Sequence, residues 1–237
     1  YRATLNRLTG FLNANQQARA LPRTEVSDQP DGLLVQGLQV RRPDGIPLIS
    51  DLDLDLRAGH ALLIQGASGS GKTTLLRALA GLWPYADGAV RRPPGLHALF
   101  LSQRPYLPLG NLRTIIAYPA TYSLSDEQRV AQVLSQVSLS HLRDQLDTQC
   151  DWSGVLSLGE QQRLAFARVL FNRPAVVFLD ESTSAMDEGL EHAMYSLLRQ
   201  QMPRALLVSV GHRSTLAGLH THRLRLDGQG AWGMEPL

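Results

Sequence analysis

A glycine-rich segment that contains one lysine is the part of the sequence best suited to chemistry. It reads Gly-Ala-Ser-Gly-Ser-Gly-Lys-Thr-Thr over residues 66–74. Its glycines allow backbone N–H groups to turn toward an anion without Cβ clashes. The lysine can reach phosphates, and the first threonine can ligate Mg²⁺. The segment therefore predicts a site for nucleotide phosphates, formed by Gly66, Ala67, Ser68, Gly69, Ser70, Gly71, Lys72, Thr73 and Thr74.

The residues on either side of this segment supply the elements that must position it. The apolar run 61–64 indicates a strand, and residues 75–80 indicate a helix. A strand, a glycine-rich loop and a helix in this order are the setting of a phosphate-binding P-loop, where the helix N-terminus adds its dipole to the site. The alternative is a chance match in a flexible turn. Lys72 is the only lysine among the 23 basic residues, and a compact ammonium suits a phosphate pocket.

Polar residues follow three other apolar runs that indicate strands. They are Gln103, Asp180, Glu181 and His212. Ligands of open α/β sheets bind at the carboxyl ends of parallel strands, so Asp180 is predicted to hold Mg²⁺ and Glu181 to activate a water molecule. The Gln103 amide can reach Mg²⁺ or that water, and His212 can bond a γ-phosphate. Each also has a structural interpretation. Asp180 and Glu181 could be an acid pair that starts a loop, Gln103 an ordinary glutamine at a strand end, and His212 a histidine with a structural role.

A second helix N-terminus is also suited to an anion. Residues 156–163 read Leu-Ser-Leu-Gly-Glu-Gln-Gln-Arg and begin a helical pattern. Ser157 and Gly159 are the predicted anion-binding residues, while Ser157 and Glu160 also fit a capping box, and both interpretations can hold. Because the P-loop pocket already takes one nucleotide, a phosphate at Ser157 would belong to a nucleotide held by another subunit.

The order of these patterns predicts an α/β fold. We expect a P-loop core with a mostly parallel sheet, a small antiparallel β subdomain that starts at residue 33, and a helical subdomain at about 104–165. Two long helices are expected at 158–173 and 188–201. The continuous apolar run 175–179 is typical of a strand that is buried on both faces of a parallel sheet.

Shorter segments carry local predictions. Asp87-Gly88 indicates a turn, residues 125–137 a helix that begins with its serine cap, and residues 224–232 a closing hairpin. Residues 1–21 have apolar side chains at helical spacing. Residues 22–32 contain two prolines and a glycine, which indicates a linker.

Composition excludes several classes of protein. The net charge of the 237 residues is +2, and the arginines are scattered without a basic stripe or interleaved aromatics, so nucleic acid is not an expected partner. The single cysteine, Cys150, cannot form a disulfide within the chain. The longest apolar runs are far shorter than a membrane-spanning helix requires.

Together these segments resemble the nucleotide-binding domain of ATP-binding cassette (ABC) transporters. Residues 66–74 resemble the Walker A loop, Gln103 the Q-loop, residues 156–163 the signature motif, Val176–Asp180 with Glu181 the Walker B strand and catalytic acid, residues 184–187 the D-loop, and His212 the switch histidine. The motifs occur in the family's order between residue 33 and about residue 215. The resemblance implies ATP and Mg²⁺ as cofactors.

The resemblance also implies ATP hydrolysis between two copies of the domain that are arranged head to tail. In each site, Lys72, Thr73, Gln103, Asp180, Glu181 and His212 of one subunit would face Ser157 and Gly159 of the other. Glu181 would act as the general base. Closure around two ATP molecules would drive attached membrane domains, with residues 103–112 as the contact.

Three segments are similar to the exporter-fold group around peroxisomal fatty acyl-CoA transporters and their bacterial relatives of the YddA and SbmA/BacA type. The segments are residues 79–84, residues 103–110, and Asp151-Trp152 with residues 156–160. The group implies a transmembrane domain on the same polypeptide, so residues 1–32 would be its end and a linker, and residues 33–237 the nucleotide-binding domain. It also implies the cytoplasmic face of the bacterial inner membrane and a fatty acyl lipid, cobalamin or a peptide as cargo.

Other functions are compatible with the same motifs. A soluble ABC ATPase in DNA repair or translation is the main alternative, although such proteins generally carry two cassettes or a long coiled coil. A cassette that binds nucleotide only as a sensor is a third, against which Glu181 and His212 argue.

The sequence departs from the family pattern at several positions. Leu158 stands where glycine is usual, Glu160 where glutamine is usual, and Met186 where leucine is commoner. Residues 40–46 contain no aromatic residue that could stack on adenine. We expect Val40, Pro43 or Ile46 to pack on the base, which leaves base selectivity open.

Overall fold

The structure is a computed structural model that describes residues 4, 7–10, 25–28, 32–93 and 97–237. Its strands are β1 (Glu25–Asp28), β2 (Leu33–Arg41), β3 (Pro47–Leu56), β4 (Ala61–Gly66), β5 (Ala86–Arg92), β6 (Ala98–Leu101), β7 (Val176–Asp180), β8 (Leu206–Val210), β9 (His222–Leu226) and β10 (Trp232–Pro236). Its longer helices are α1 (Lys72–Leu79), α2 (Leu112–Ala117), α3 (Glu127–Gln136), α4 (Trp152–Val155), α5 (Leu158–Asn172) and α6 (Glu188–Gln201).

The strands form two sheets. One has the order β10-β9-β4-β8-β7-β6, and all its neighbouring strands are parallel except the β9-β10 hairpin. The other has the order β1-β5-β2-β3, with antiparallel pairs on both sides of β2. The predicted α/β fold, with a mostly parallel core sheet and a small β subdomain, is therefore confirmed.

The parallel sheet has an apolar core on each face. Because successive side chains of a strand point to opposite faces, Leu63 packs with the helical side of the molecule and Leu62 with the β subdomain. In the same way, Val177 of β7 lies on the helical side and Phe178 on the other. Strand β7 is buried along its whole length, as its unbroken apolar sequence predicts.

Helices follow the P-loop strand and fill the segment between β6 and β7. Helices α2, α3 and α4 occupy the predicted helical subdomain, with 3₁₀ turns at Leu124–Asp126 and Ser140–Gln145. Trp152 is 1% exposed and its indole N–H donates to the Gly110 carbonyl at 3.1 Å. Among the described residues, every helix is too short or too polar to cross a membrane.

One local prediction in the β subdomain is wrong, and the segment expected to be a linker contains a strand. Asp87 and Gly88 lie inside β5 rather than in a turn. A Cβ at Gly88 would be 2.7 Å from the Gly37 carbonyl oxygen, so the glycine permits a close approach of two strands. The predicted linker contains β1, which pairs in parallel with residues 89–92 of β5; a partner so distant in sequence leaves no local signal.

Other predicted bounds shift by a few residues. Ser123 rather than Ser125 begins the helical segment, because its backbone N–H and hydroxyl both donate to Asp126 Oδ2 at 3.0 Å. The closing hairpin spans residues 222–236 rather than 224–232. Of the helix expected at residues 1–21, residues 4 and 7–10 are helical and the others lie outside the described residues.

Candidate active site

The glycine-rich loop connects β4 to α1, as predicted, and its glycines have structural reasons. A Cβ at Gly66 would lie 2.6 Å from both the Leu226 carbonyl oxygen and Ser70 Oγ. Gly69 and Gly71 have φ angles of +80° and +94°, and residues other than glycine rarely adopt such angles. These positions therefore require glycine for the loop to take this shape.

The N-terminus of α1 has the properties of an anion site. Gly71 is its N-cap, no side chain caps it, and its first turn contains no acidic residue. The first N–H groups of a helix have no partner within the helix and carry a partial positive charge. The Ser70 hydroxyl oxygen is buried and has no hydrogen-bond partner among the described residues. The loop thus offers donors that a phosphate group would satisfy.

Lys72 folds back along the loop. Its Nζ donates to the carbonyl oxygens of Gly66, at 3.0 Å, and Ala67, at 2.8 Å. Burial lowers the pKa of Lys72, and the Glu181 carboxylate acts in the opposite direction. The ammonium is held at the phosphate loop, where a triphosphate would add negative charge and favour its protonated form.

Thr73 and Asp180 form an oxygen pair beside the loop. The Thr73 hydroxyl donates to Asp180 Oδ1 at 2.7 Å, which joins the first turn of α1 to the end of β7. Asp180 is 5% exposed, and burial raises its pKa, against the Thr73 hydrogen bond, which lowers it. Hydroxyl and carboxylate oxygens are ligands that Mg²⁺ prefers, so the two residues fit a magnesium ion.

Glu181 and His212 meet above this pair. His212 Nε2 lies 3.1 Å from Glu181 Oε1. Glu181 has a φ of +48°, and its backbone N–H donates to the Val210 carbonyl at 3.2 Å. A left-handed conformation in a residue other than glycine is uncommon and is often found at functional sites.

One open cavity of about 560 Å³ joins these groups. Its lining includes these predicted residues: Ser68, Gly69, Gly71, Lys72, Thr73, Thr74, Glu181 and His212. Of the other predicted residues, Gly66 and Ala67 accept hydrogen bonds from Lys72, Asp180 accepts one from Thr73, and Ser70 lies beside Gly66. A phosphate loop and an acid–histidine pair on one cavity are suited to the hydrolysis of a phosphoanhydride.

Gln103 lies outside this lining. Its side chain is exposed, two residues beyond the end of β6. Its backbone carbonyl accepts a hydrogen bond from Gln162 Nε2 at 2.8 Å. Gln162 also donates to Ser184 Oγ at 3.1 Å and accepts from the Ala185 N–H at 3.0 Å. No separate role was predicted for Gln162, which is fully buried and joins the loops that contain Gln103 and Ser184.

Ser157 and Gly159 are also absent from the cavity lining and lie at the start of α5. The capping box is confirmed: the Ser157 hydroxyl and N–H donate to Glu160 Oε2 at 2.7 and 3.0 Å, respectively. These hydrogen bonds lower the pKa of Glu160, and the bond from the Ser157 hydroxyl has the largest effect. Partial burial of Glu160 acts in the opposite direction. His141 Nε2 lies 3.2 Å from Glu160 Oε1. A Cβ at Gly159 would be 3.1 Å from the Ala185 carbonyl oxygen, so α5 begins against the 184–187 loop.

Part of the cavity lining outside the loop sequence is apolar and basic, although Leu48 lies against Gly71, where a Cβ would be 3.3 Å from the Leu48 Cβ. This part is formed by Arg42, Ile46, Pro47 and Leu48. Ile46 is 50% exposed and lines the cavity, whereas Val40 is fully buried in the core and cannot contact a ligand. Pro43 is exposed but is not in the lining. Of the three residues expected to pack on a base, the structure therefore favours Ile46; Arg42 and Leu48 carried no sequence signal.

Comparisons with known proteins agree with this geometry. The family profile described as "ABC transporter" matches residues 49–184. An uncharacterized ABC transporter ATP-binding protein of Haemophilus influenzae is 49% identical over 225 residues, covering 95% of this chain and 38% of that protein. The lysosomal cobalamin transporter ABCD4 of Mus musculus is 40% identical, covering 89% of this chain and 36% of the transporter.

A solved structure shares the fold. The structure of a bacterial Atm1-family ABC exporter with ATP bound superposes with a TM-score of 0.72 at 24% identity, over 88% of this chain and 41% of the exporter chain. The chain thus spans well under half the length of each of these proteins.

Proposed function

This chain belongs to the ABC transporter family as an ATP-binding domain, and from that premise we propose that it hydrolyses ATP with Mg²⁺ to power transport across a membrane. The observation that carries the proposal is the shared cavity. Glu181 and His212, which are 3.1 Å apart, line the same cavity as Lys72 and Thr73. Phosphate binding and water activation thus have residues on a single surface.

In the proposed reaction, the backbone N–H groups of the loop and the Lys72 ammonium hold the phosphates of ATP. Thr73 and Asp180 hold Mg²⁺, which neutralises charge on the phosphates when bound, and Gln103 joins this set if its loop turns inward. Glu181 accepts a proton from the attacking water molecule. His212 orients the Glu181 carboxylate through their Nε2 contact before ATP binds, and its ring N–H then donates to the γ-phosphate.

The experiment that tests this proposal replaces Glu181 with glutamine. Glu181→Gln keeps the shape of the side chain and removes its ability to accept a proton at neutral pH. We expect ATP binding to persist and kcat to fall by at least about 100-fold, within the usual contribution of a general base. Glu127→Gln, an exposed change on α3, is the control and should retain full turnover. Robust hydrolysis by Glu181→Gln would refute the assignment.

We propose that a second copy of the domain completes each site, head to tail. Ser157 and Gly159 have the features of an anion site at the N-terminus of α5, yet neither lines the P-loop cavity of their own chain. A partner subunit's nucleotide is the ligand that fits this separation. The neighbouring Val155 is 63% exposed, and burying it would favour such an interface.

The transmembrane domain is proposed to contact the surface of residues 103–112, which the neighbouring Tyr118 extends. Tyr106, Leu109 and Tyr118 are 64%, 80% and 43% exposed, and the two tyrosine rings meet edge to face at 5.8 Å. Arg168 supports this surface from below, since its guanidinium donates to the Tyr106 carbonyl at 3.0 Å and to the Ile115 carbonyl at 3.1 Å. An exposed apolar patch on a rigid base is suited to docking another domain.

We place residues 33–237 in the nucleotide-binding domain and residues 1–32 between it and the transmembrane domain of the same polypeptide, on the cytoplasmic face of the bacterial inner membrane. Strand β1 of the first segment extends the β subdomain. We propose cobalamin, a fatty acyl lipid or a peptide as the cargo. The name of the mouse relative supports cobalamin, and the naming of relatives as transporters disfavours a soluble ABC ATPase.

A further inference from the structure

Helix α6 carries a buried carboxylate that the proposed chemistry does not use. Glu191 is 3% exposed and lies one turn into the helix. The Thr183 hydroxyl donates to its Oε1, and the Thr215 hydroxyl donates to its Oε2 at 3.4 Å. The Arg213 guanidinium lies 3.4 Å from the same Oε2. A buried carboxylate with donors on two different loops is an anchor between them.

The two anchored loops are those that contain the proposed catalytic pair. Thr183 is two residues after Glu181, and Arg213 and Thr215 are one and three residues after His212. Arg213 adds a direct link between the loops, since its Nη2 donates to the Met186 carbonyl at 2.8 Å. Thr183 lies in a turn, and Arg213 precedes the 3₁₀ helix Ser214–Leu219, which contains Thr215. Side-chain contacts between the two segments therefore help to fix their relative position.

The surroundings of the pair show why such an anchor is needed. Residues of both loops line a cavity of about 150 Å³, among them Glu181, His212, Glu191 and Arg213. The loops therefore do not pack tightly against each other. Glu181 also has a left-handed backbone, a conformation that surrounding contacts have to maintain.

We propose that Glu191 is a positioning residue for ATP hydrolysis: its carboxylate holds the two loops so that Glu181 and His212 meet. This inference rests on the proposed function. A carboxylate suits the role because its two oxygens accept the hydrogen bonds of the two hydroxyls and its charge pairs with the Arg213 guanidinium at 3.4 Å. A glutamine would turn an N–H₂ group toward at least one of these donors.

The test is Glu191→Gln in the full-length protein that contains this domain, with steady-state ATPase kinetics. We expect kcat to fall about 10- to 100-fold, as misplacement of reacting groups by a distant change does. The KM for ATP should change less than about twofold, because Lys72 and Thr73 are untouched. Glu188→Gln, an exposed change on the same helix, is the matched control and should alter neither constant.

A second variant separates positioning from folding. The Arg213 side chain is 32% exposed, so Arg213→Gln is expected to fold and to lower kcat in the same way, again with KM preserved. If the two residues act as one unit, the double variant should be slower than the slower single variant by no more than about twofold. Should Glu191→Gln fail to fold, Arg213→Gln decides alone.

Distinct results overturn this inference and the proposed function. Wild-type kcat in folded Glu191→Gln and in Arg213→Gln, or a parallel loss of thermal stability and ATP binding in both, would reduce Glu191 to a structural residue. Those results leave the ATPase assignment intact. By contrast, an inactive wild-type protein or an active Glu181→Gln would refute the proposed function itself.

Discussion

Replacing Gln162 with leucine should destabilise the domain by breaking a buried link between three segments. The Gln162 side chain is fully buried in α5. Its amide nitrogen donates to the Gln103 carbonyl and the Ser184 hydroxyl at 2.8 and 3.1 Å, and its amide oxygen accepts from the Ala185 N–H at 3.0 Å. Leucine fills a similar volume but makes none of these hydrogen bonds.

The magnitude follows from these contacts. Three hydrogen bonds with a net value of about 1 kcal/mol each contribute about 3 kcal/mol. The partner residues are exposed as whole residues and the three hydrogen bonds are part-buried, so water that reaches the freed groups would limit the further cost. Leucine is more apolar than glutamine, and its burial offsets about 1 kcal/mol. The expected decrease in the free energy of unfolding by Gln162→Leu is therefore about 2 kcal/mol.

Urea unfolding followed by circular dichroism measures this difference as a shift of the midpoint at constant slope. Gln128→Leu is the matched control, because it makes the same chemical change at an exposed position of α3 and should alter stability by less than about 0.5 kcal/mol. Equal midpoints for the two variants would refute the reasoning, since the hydrogen bonds of Gln162 would then not stabilise the fold.

Two further predictions concern the P-loop and pH. Gly66→Ala would bring a Cβ within 2.6 Å of the Leu226 carbonyl, so we expect a loss of about 1–3 kcal/mol in urea unfolding and weaker ATP binding; Gly218→Ala, which meets nothing within 4 Å, should change neither. Burial lowers the pKa of His220 to about 4. Between about pH 6.5 and 4 the unfolded chain therefore binds more protons than the folded chain. The free energy of unfolding decreases as the pH is lowered through that window, by up to about 3 kcal/mol. His220→Gln should flatten this part of the measured stability curve, and an unchanged slope would contradict the explanation.

Much of the site could be predicted because its residues follow elements with strong local patterns. The unbroken apolar run of β7 fixes the position of Asp180 and Glu181 at the carboxyl end of a parallel strand. The glycines of the P-loop and the helix after it likewise indicate a phosphate site without tertiary information. The Ser157 capping box was also readable, since Glu160 is only three residues away.

Contacts between segments distant in sequence could not be predicted in this way. Strand β1 pairs with β5 across about 60 residues. The dipeptide Asp87-Gly88 has the sequence of a turn, and it is part of a strand because β5 pairs with β2. Glu191 gave no signal, since its burial depends on two loops whose paths only the tertiary structure defines. The exposed position of Gln103 has the same cause: the loop after β6 is held by Gln162, from a different helix.

Glu160 stands where the family usually has glutamine, and this difference affects the proposed dimer. In the described chain, the Ser157 hydroxyl donates to the Glu160 carboxylate at 2.7 Å, so it must rotate away from this acceptor to donate to a partner's phosphate. A carboxylate beside that phosphate also repels it, whereas the dipole of α5 and His141, 3.2 Å from the same side chain, favour negative charge there. The Glu160 carboxylate therefore competes with the phosphate for the Ser157 hydroxyl and also repels the phosphate. For both reasons, this end of the interface should close less readily than one with glutamine at position 160.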